Sequence, residues 1–240
     1  MLSEVETNLS QLRLYGMQHS WQSLVETRRH LDLTLTEGLE LLLQAEYDQR
    51  TNRRSDRYRQ NARFRYQASL SEVTADATRG FDRQLLAQLT TGDYITKGEC
   101  ILITGATGSG KSFLASALGS QACNQGYKVA YYNLQKLLLR NKMSRADGSI
   151  GKFFDKMAKT HLLILDDFGL TRLEQQHSLD LMEMIEDRHG RHATIIASQI
   201  PVASWYDLFA EETLADAILD RLVHSSYRIE LKGESLRKKR

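Results

Sequence analysis

Gly105-Ala106-Thr107-Gly108-Ser109-Gly110-Lys111-Ser112 matches G-x-x-x-x-G-K-[ST], the pattern of a phosphate-binding loop. Its flanks suit that reading. Cys100-Ile101-Leu102-Ile103-Thr104 before it is a short apolar, β-branched run, as for a buried parallel strand, and Phe113 to Leu118 after it opens a helix. Three glycines allow a tight turn whose N–H groups face a phosphate, and the positive end of the helix adds to the attraction. Lys111 can reach the β- and γ-phosphates, and the Ser112 hydroxyl can take one Mg²⁺ position. Gly105 through Ser112 are therefore the expected ATP-phosphate contacts.

Downstream the chain alternates strand and helix, the pattern of a parallel sheet with helices on both faces. The expected strands are 128–132, 162–167, 193–198 and 227–231. Helices are expected after residue 134, over 149–158, through Leu179, Met182 and Ile185, and over 203–209 and 213–224. Leu162-Leu163-Ile164-Leu165 runs into Asp166-Asp167, a Walker B pattern that delivers carboxylates at the C-terminal end of a strand, where open α/β sheets bind ligands. Asp166 is expected to hold Mg²⁺ and Asp167 to polarise the attacking water. Gln199, ending the next strand, is placed to sense the γ-phosphate. Arg221, on a late helix, can reach a neighbour's nucleotide; the alternative for it is an ion pair within its own subunit.

Upstream, the charge is split. Residues 1–49 carry eight acids against three arginines, net −5, and read as leucine-bearing helices, with a capped helix start at Thr36-Glu37. Either another protein surface or the main domain would cover those leucines. Residues 50–67 carry seven arginines against one acid, net +6, with Tyr58, Phe64 and Tyr66 interleaved. Arg50, Arg53, Arg54, Arg57, Arg59 and Arg63 are the expected DNA contacts, since arginine beside aromatics suits phosphate binding plus stacking. A salt-bridged linker helix is the plainer alternative. Phe81 to Leu89 reads as a helix ending near Thr91-Gly92, in an approach segment of the kind that touches the nucleotide base.

The bulk numbers agree with one sizeable domain and a small appendage: 240 residues, 26% charged, 41% hydrophobic, net charge +2. No apolar run approaches a membrane span and no secretory leader is recognisable, so a cytoplasmic location and no membrane partner are expected. Cys100 and Cys123 lack metal-ligand spacing and read as core residues.

Taken together, Gly105–Ser112, Leu162–Gly169 ending Asp-Asp-Phe-Gly, Ile196-Ala-Ser-Gln-Ile-Pro201, Asp220-Arg221-Leu222 and Gly233-Glu-Ser-Leu-Arg237 resemble the IstB/DnaC-like AAA+ ATPases, over about residues 1–237. Arg63-Phe64-Arg65-Tyr66 resembles the stretch joining that family's N-terminal domain to its ATPase core. Length and the Ser-Gln-Ile-Pro form favour the IstB side, the helpers of insertion-sequence transposition. The resemblance implies an α/β AAA+ P-loop fold with a five-stranded parallel sheet in the order 5-1-4-3-2. A helical N-terminal domain at 1–66 would precede an ATPase domain at 67–240. It also implies ATP and Mg²⁺ as cofactors, a homo-oligomer on double-stranded DNA, and a transposase partner. By position, Lys111 and Ser112 bind phosphate and Mg²⁺, Asp166 binds Mg²⁺, and Asp167 is the catalytic carboxylate. Gln199 becomes sensor 1, Arg221 the arginine finger and Arg237 sensor 2. Many AAA+ proteins carry Glu where this chain has Asp167, and the shorter arm implies slow or partner-dependent hydrolysis. The competing classes are a helicase loader acting on single strands and a small-molecule kinase. Against the kinase stand the arginine cluster, the trans-arginine candidate and the lack of a lid segment.

Overall fold

The computed structural model describes residues 2–235, which form two compact units that divide between Arg57 and Tyr58. Its helices and strands in chain order are α1 (Leu2–Gln11), α2 (Tyr15–Glu26), α3 (Leu35–Ala62), α4 (Arg83–Thr91), α5 (Asp93–Thr96), β1 (Cys100–Gly105), α6 (Lys111–Asn124), β2 (Val129–Asn133), α7 (Leu134–Ala146), α8 (Ile150–Ala158), β3 (Leu162–Phe168), α9 (Gln175–Arg188), β4 (Ala193–Ser198), α10 (Glu212–Val223) and β5 (Ser226–Leu231). Among the described residues no helix is long and apolar enough to cross a membrane.

In the first unit α2 lies on α3 at Gly16, where a Cβ would sit 2.4 Å from the Ala45 carbonyl oxygen. The buried Glu46 carboxylate accepts the Gly16 and Met17 N–H groups at 2.7 and 3.3 Å, satisfying donors at the start of α2. The capping box of α3 is Thr34 with Glu37, two residues earlier than the expected Thr36: Glu37 accepts the Thr34 N–H at 2.8 Å, and its own N–H donates to Thr34 Oγ1 at 3.3 Å. Leu9 and Leu24 are buried, whereas Leu12, Leu31, Leu35, Leu39, Leu41 and Leu43 are exposed.

The second unit is built on a parallel sheet in the order β2-β3-β4-β1-β5, which is the expected 5-1-4-3-2 read from the other edge. Strand alternation sorts its residues between two cores. Ile101, Ile103, Ile164 and Ile195 pack with Leu114 and Leu118 of α6. Leu102, Leu163, Leu165 and Ile196 pack with α7, α8, α9 and α10. Both cysteines are buried, and burial pushes the Cys100 thiol up to about 11 and Cys123 to about 12, so both are inert packing residues.

Two local expectations change. Leu179 is 44% exposed, and α9 buries Leu181, Met184 and Ile185, because the helix starts at Gln175 and turns that set inward. Residues 203–209 are two short 3₁₀ turns, not a helix; Trp205 anchors them, its ring 4.7 Å from Phe168 and its Nε1–H donated to the Ile200 carbonyl at 3.2 Å.

At the N-terminal edge of the sheet, His161 Nδ1 accepts the Lys128 N–H at 2.9 Å, and His192 lies beside it, ring centroids 5.8 Å apart. Burial holds both imidazoles below their usual 6.5, helped by the Lys128 and Arg188 charges at His161 and by Arg188 at His192. The unfolded chain takes up these protons first, so this contribution to stability is full above about pH 6.5 and falls as the pH drops below it. Urea unfolding at pH 7.5 and 5.5 should therefore show a loss on acidification that shrinks in a His161→Gln/His192→Gln variant.

Candidate nucleotide-binding site

The loop leaves β1 at Gly105 with φ 146°, passes Gly108 at 84° and Gly110 at 104°, and enters α6 at Lys111. These are conformations that favour glycine. Gly105 also approaches the Leu231 carbonyl of β5 so closely that a Cβ would lie 2.3 Å from its oxygen. Lys111 is 7% exposed, and its Nζ donates to the Gly105 and Ala106 carbonyls at 2.7 and 2.8 Å. The Ser109 Oγ is buried without a hydrogen-bond partner among the described residues.

The end of β3 is irregular, and that irregularity builds the acidic side of the site. Leu162–Leu165 pair with Ala193–Ile196, but the next partners are Phe168 and Ser198, so β3 spends one extra residue there. Asp167 takes the left-handed conformation, φ 57°, a local strain of about 1–3 kcal/mol for a non-glycine residue. In a regular strand adjacent side chains point to opposite faces. Here the bulge lets both carboxylates meet one cation: Arg65 Nη1 lies 3.1 Å from Asp166 Oδ2 and 3.0 Å from Asp167 Oδ2.

Asp166, 1% exposed, accepts from Ser112 Oγ at 2.9 Å and from the Asp167 N–H at 2.9 Å on Oδ1. On Oδ2 it accepts from Arg65 and from the Tyr131 hydroxyl. Burial, with that hydrogen bond, raises the Tyr131 hydroxyl far above the ordinary tyrosine range, so it stays a donor. Register explains the next contact. Asn133, the last residue of β2, pairs across from Asp166, and its Nδ2 donates to Asp167 Oδ2 at 2.7 Å. Gln199 at the end of β4 accepts from Thr107 Oγ1 of the loop at 2.8 Å.

The structure thus brings together the loop, Ser112, Asp166, Asp167 and Gln199. Arg221 is elsewhere, paired with Glu186 of α9 and bonded through Nη1 to the Ala217 carbonyl at 2.7 Å. Arg237 lies outside the described residues. Of the arginine run, Arg50 pairs with Glu46 at 2.7 Å, Arg53 lies over the Tyr15 ring at 4.8 Å, Arg59 bonds Asn124, and Arg54, Arg57 and Arg63 are exposed. Arg50, Arg53, Arg54 and Arg57 recur at spacings of three and four, so they form one stripe on α3.

Four residues at the site went unread in the sequence. Tyr131 and Asn133 sit at the C-terminal end of a strand next to β3, a position that marks ligand sites in such sheets. Arg65 stood in the run as one more arginine. Arg79 donates to the Ser109 carbonyl at 3.1 Å and the Lys232 carbonyl at 3.3 Å, tying the approach segment to the loop and to the end of β5.

The residues fit a nucleoside triphosphate with Mg²⁺. The loop offers glycine-lined N–H groups, an orphan hydroxyl at Ser109 and a lysine, and beside it stand one hydroxyl and one carboxylate with oxygen donors suited to a hard cation. Among the described residues no group of three or more His, Cys, Asp or Glu forms a metal site, which suits a cation that takes most of its ligands from phosphate and water.

Fold and site together define a P-loop protein with the AAA+ type of fold. Solved structures of that class share the sheet: the DnaC helicase loader superposes with a TM-score of 0.57 at 20% identity, over 73% of this chain and 99% of that one. Replication initiator DnaA bound to AMPPCP and single-stranded DNA gives 0.59 at 19%, over 72% and 53%. The chain belongs to the IstB-like ATP-binding protein family, whose model matches residues 7–240. An insertion sequence ATP-binding protein of Sinorhizobium fredii is 40% identical over 96% of this chain and 94% of its own length.

Proposed function

We propose that this chain is an ATP-hydrolysing helper of transposition that assembles with copies of itself on duplex target DNA and stimulates a transposase. The observation that carries the ATPase part is the Ser112–Asp166 contact of 2.9 Å, which joins the phosphate loop to the Walker B strand. Kinship with insertion sequence ATP-binding proteins supports the transposition part.

Lys111 and the loop N–H groups would hold the phosphates, and Ser112 and Asp166 would hold Mg²⁺, which when bound would supply charge that offsets the phosphate oxygens. Asp167, steadied by Asn133, polarises the attacking water, and Gln199, tied to Thr107, registers the γ-phosphate. Arg221 of a neighbouring copy completes the site after leaving Glu186, and its charge favours the transition state. ATP in this way favours assembly, and assembly lines up the arginine stripes along DNA.

The DNA role is tested through salt. Each phosphate contact contributes about 0.9 to the slope of log affinity against log salt on duplex DNA. Replacing Arg53, Arg54 and Arg57 with alanine should flatten that slope by about 2–3. An unchanged slope would move the DNA contact off α3. Backbone-directed arginines carry little base information, so affinities across unrelated duplexes should agree closely.

A further inference from the structure

The segment between α3 and α4 is strapped across the nucleotide site by three neighbouring side chains. Helix α3 ends at the buried Ala62, and Arg63 turns the chain at φ 56°. Phe64 enters the core edge-on to Tyr131, ring centroids 6.1 Å apart, and rests on α6 at Gly119, where a Cβ would lie 2.5 Å from the Phe64 ring. Tyr66 lies against Phe113, centroids 6.1 Å apart. Between these two anchors, Arg65 reaches Asp166 and Asp167. Burial opposes the Arg65 charge, but its bond to Asp166 and the two carboxylate charges outweigh that and leave the guanidinium held more firmly than usual.

Lone pairs and charge together decide what this contact does. An ionised carboxylate offers about four acceptor positions. Asp166 has four donors on it: Ser112 Oγ, the Asp167 N–H, the Tyr131 hydroxyl and Arg65. A divalent cation that engages Asp166, directly or through water, must displace one of them. The Asp167 N–H is fixed by the bulge and Tyr131 is 8% exposed in the core. Ser112 gives up its bond on Oδ1 to the cation it would help to hold, so on Oδ2 Arg65 is the donor that remains to compete. Arg65, with a side chain 40% exposed, is the donor free to move, and its charge also opposes a second cation a few ångströms away.

We propose that Arg65 is a tethered competitor of divalent metal at Asp166 and Asp167, so that metal–nucleotide binding drives it off and loosens the strap Arg63–Tyr66. This rests on reading Asp166 as the metal-side carboxylate. The apparent affinity of a site scales with the fraction of molecules competent to bind, so an arginine in place nine-tenths of the time weakens metal binding about tenfold.

Mn²⁺ binding to the full chain with saturating ADP, read from the free-ion paramagnetic resonance signal, tests it. Arg65→Gln should bind Mn²⁺ about tenfold more tightly than the unaltered chain, Arg65→Lys should stay within about threefold of it, and Asp166→Asn should bind more weakly. Unchanged or weaker binding by Arg65→Gln, with Asp166→Asn weakened, would overturn the competition and leave the site reading standing. Unaltered binding by Asp166→Asn would overturn both. A second measurement needs no substitution: Mn²⁺ with ADP should speed tryptic cleavage after Arg65, and a cleavage rate indifferent to metal would overturn the release of the strap.

Discussion

Lys111→Ala is expected to lower ATP affinity by at least about a hundredfold while leaving the fold intact. In this structure the Lys111 ammonium lies in the loop itself, 2.7 and 2.8 Å from two carbonyls at the end of β1. Those carbonyls hold the charge within reach of the phosphates, which then exchange neutral acceptors for anionic ones. A charge-assisted hydrogen bond is worth about 1.5–3 kcal/mol, so losing two costs about 3–6 kcal/mol of binding, a factor of 10² or more. Calorimetric titration with Mg²⁺–ATP measures it. Affinity within threefold of the unaltered chain would remove Lys111 from the phosphate site. The carbonyls released, on the half-buried Gly105 and the exposed Ala106, can take water instead, so the thermal midpoint of the variant without nucleotide should move little.

Arg188→Ala is expected to cost about 3–5 kcal/mol of stability, the largest effect of any single change away from the nucleotide site. Arg188 is 1% exposed and has no carboxylate within ion-pair distance among the described residues. It is satisfied by carbonyls instead: Met157 at 2.7 Å, Thr160 at 2.6 Å and Ala193, with Thr194 Oγ1 at 3.3 Å. Burial lowers its guanidinium to about 10, so it remains charged at neutral pH. One side chain thereby closes the end of α8, the approach to β3 and the start of β4. Truncation leaves buried carbonyls unpaired and a void behind them. Urea unfolding should show the loss, while ATP affinity of the folded variant stays within about twofold, because Arg188 lies at the opposite end of the strands from the loop. A loss under about 1 kcal/mol would mean that water replaces the guanidinium without penalty.

What the sequence made legible follows the range of the interactions. The loop, Ser112 and the Asp166-Asp167 strand end are short motifs whose geometry is set by adjacent residues, and the structure brings them together as expected. The sheet order followed from resemblance to a family with that topology, and the strand edges came from apolar runs bounded by glycine and polar residues. Arg65 lies about a hundred residues before the acids it bonds, and an arginine-rich stretch looks the same whichever member turns inward. Tyr131 and Asn133 gain their roles from register with β3, which no local pattern encodes. The bulge at Asp167 was invisible for a similar reason: a non-glycine residue in a left-handed conformation carries no sequence mark. In α9 an exposed Leu179 stood for the buried Leu181, since several leucine and methionine sets fit a helical period within one short helix. Arg221 shows the opposite limit. Its place on α10 was legible, but its ion pair with Glu186 was one alternative among several acids, and only packing of α10 on α9 selects it.

The central claim is ATP-dependent assembly on duplex DNA, and light scattering of the full chain tests it most directly. Samples would carry ATP or ADP, each with duplex, single-stranded or no DNA. The account predicts large assemblies with ATP and duplex together, and small species with ADP. Assembly on single strands in preference to duplex would favour a helicase-loader type of action, and a monomer under every condition would contradict both the assembly and the role of Arg221 in a neighbour's site.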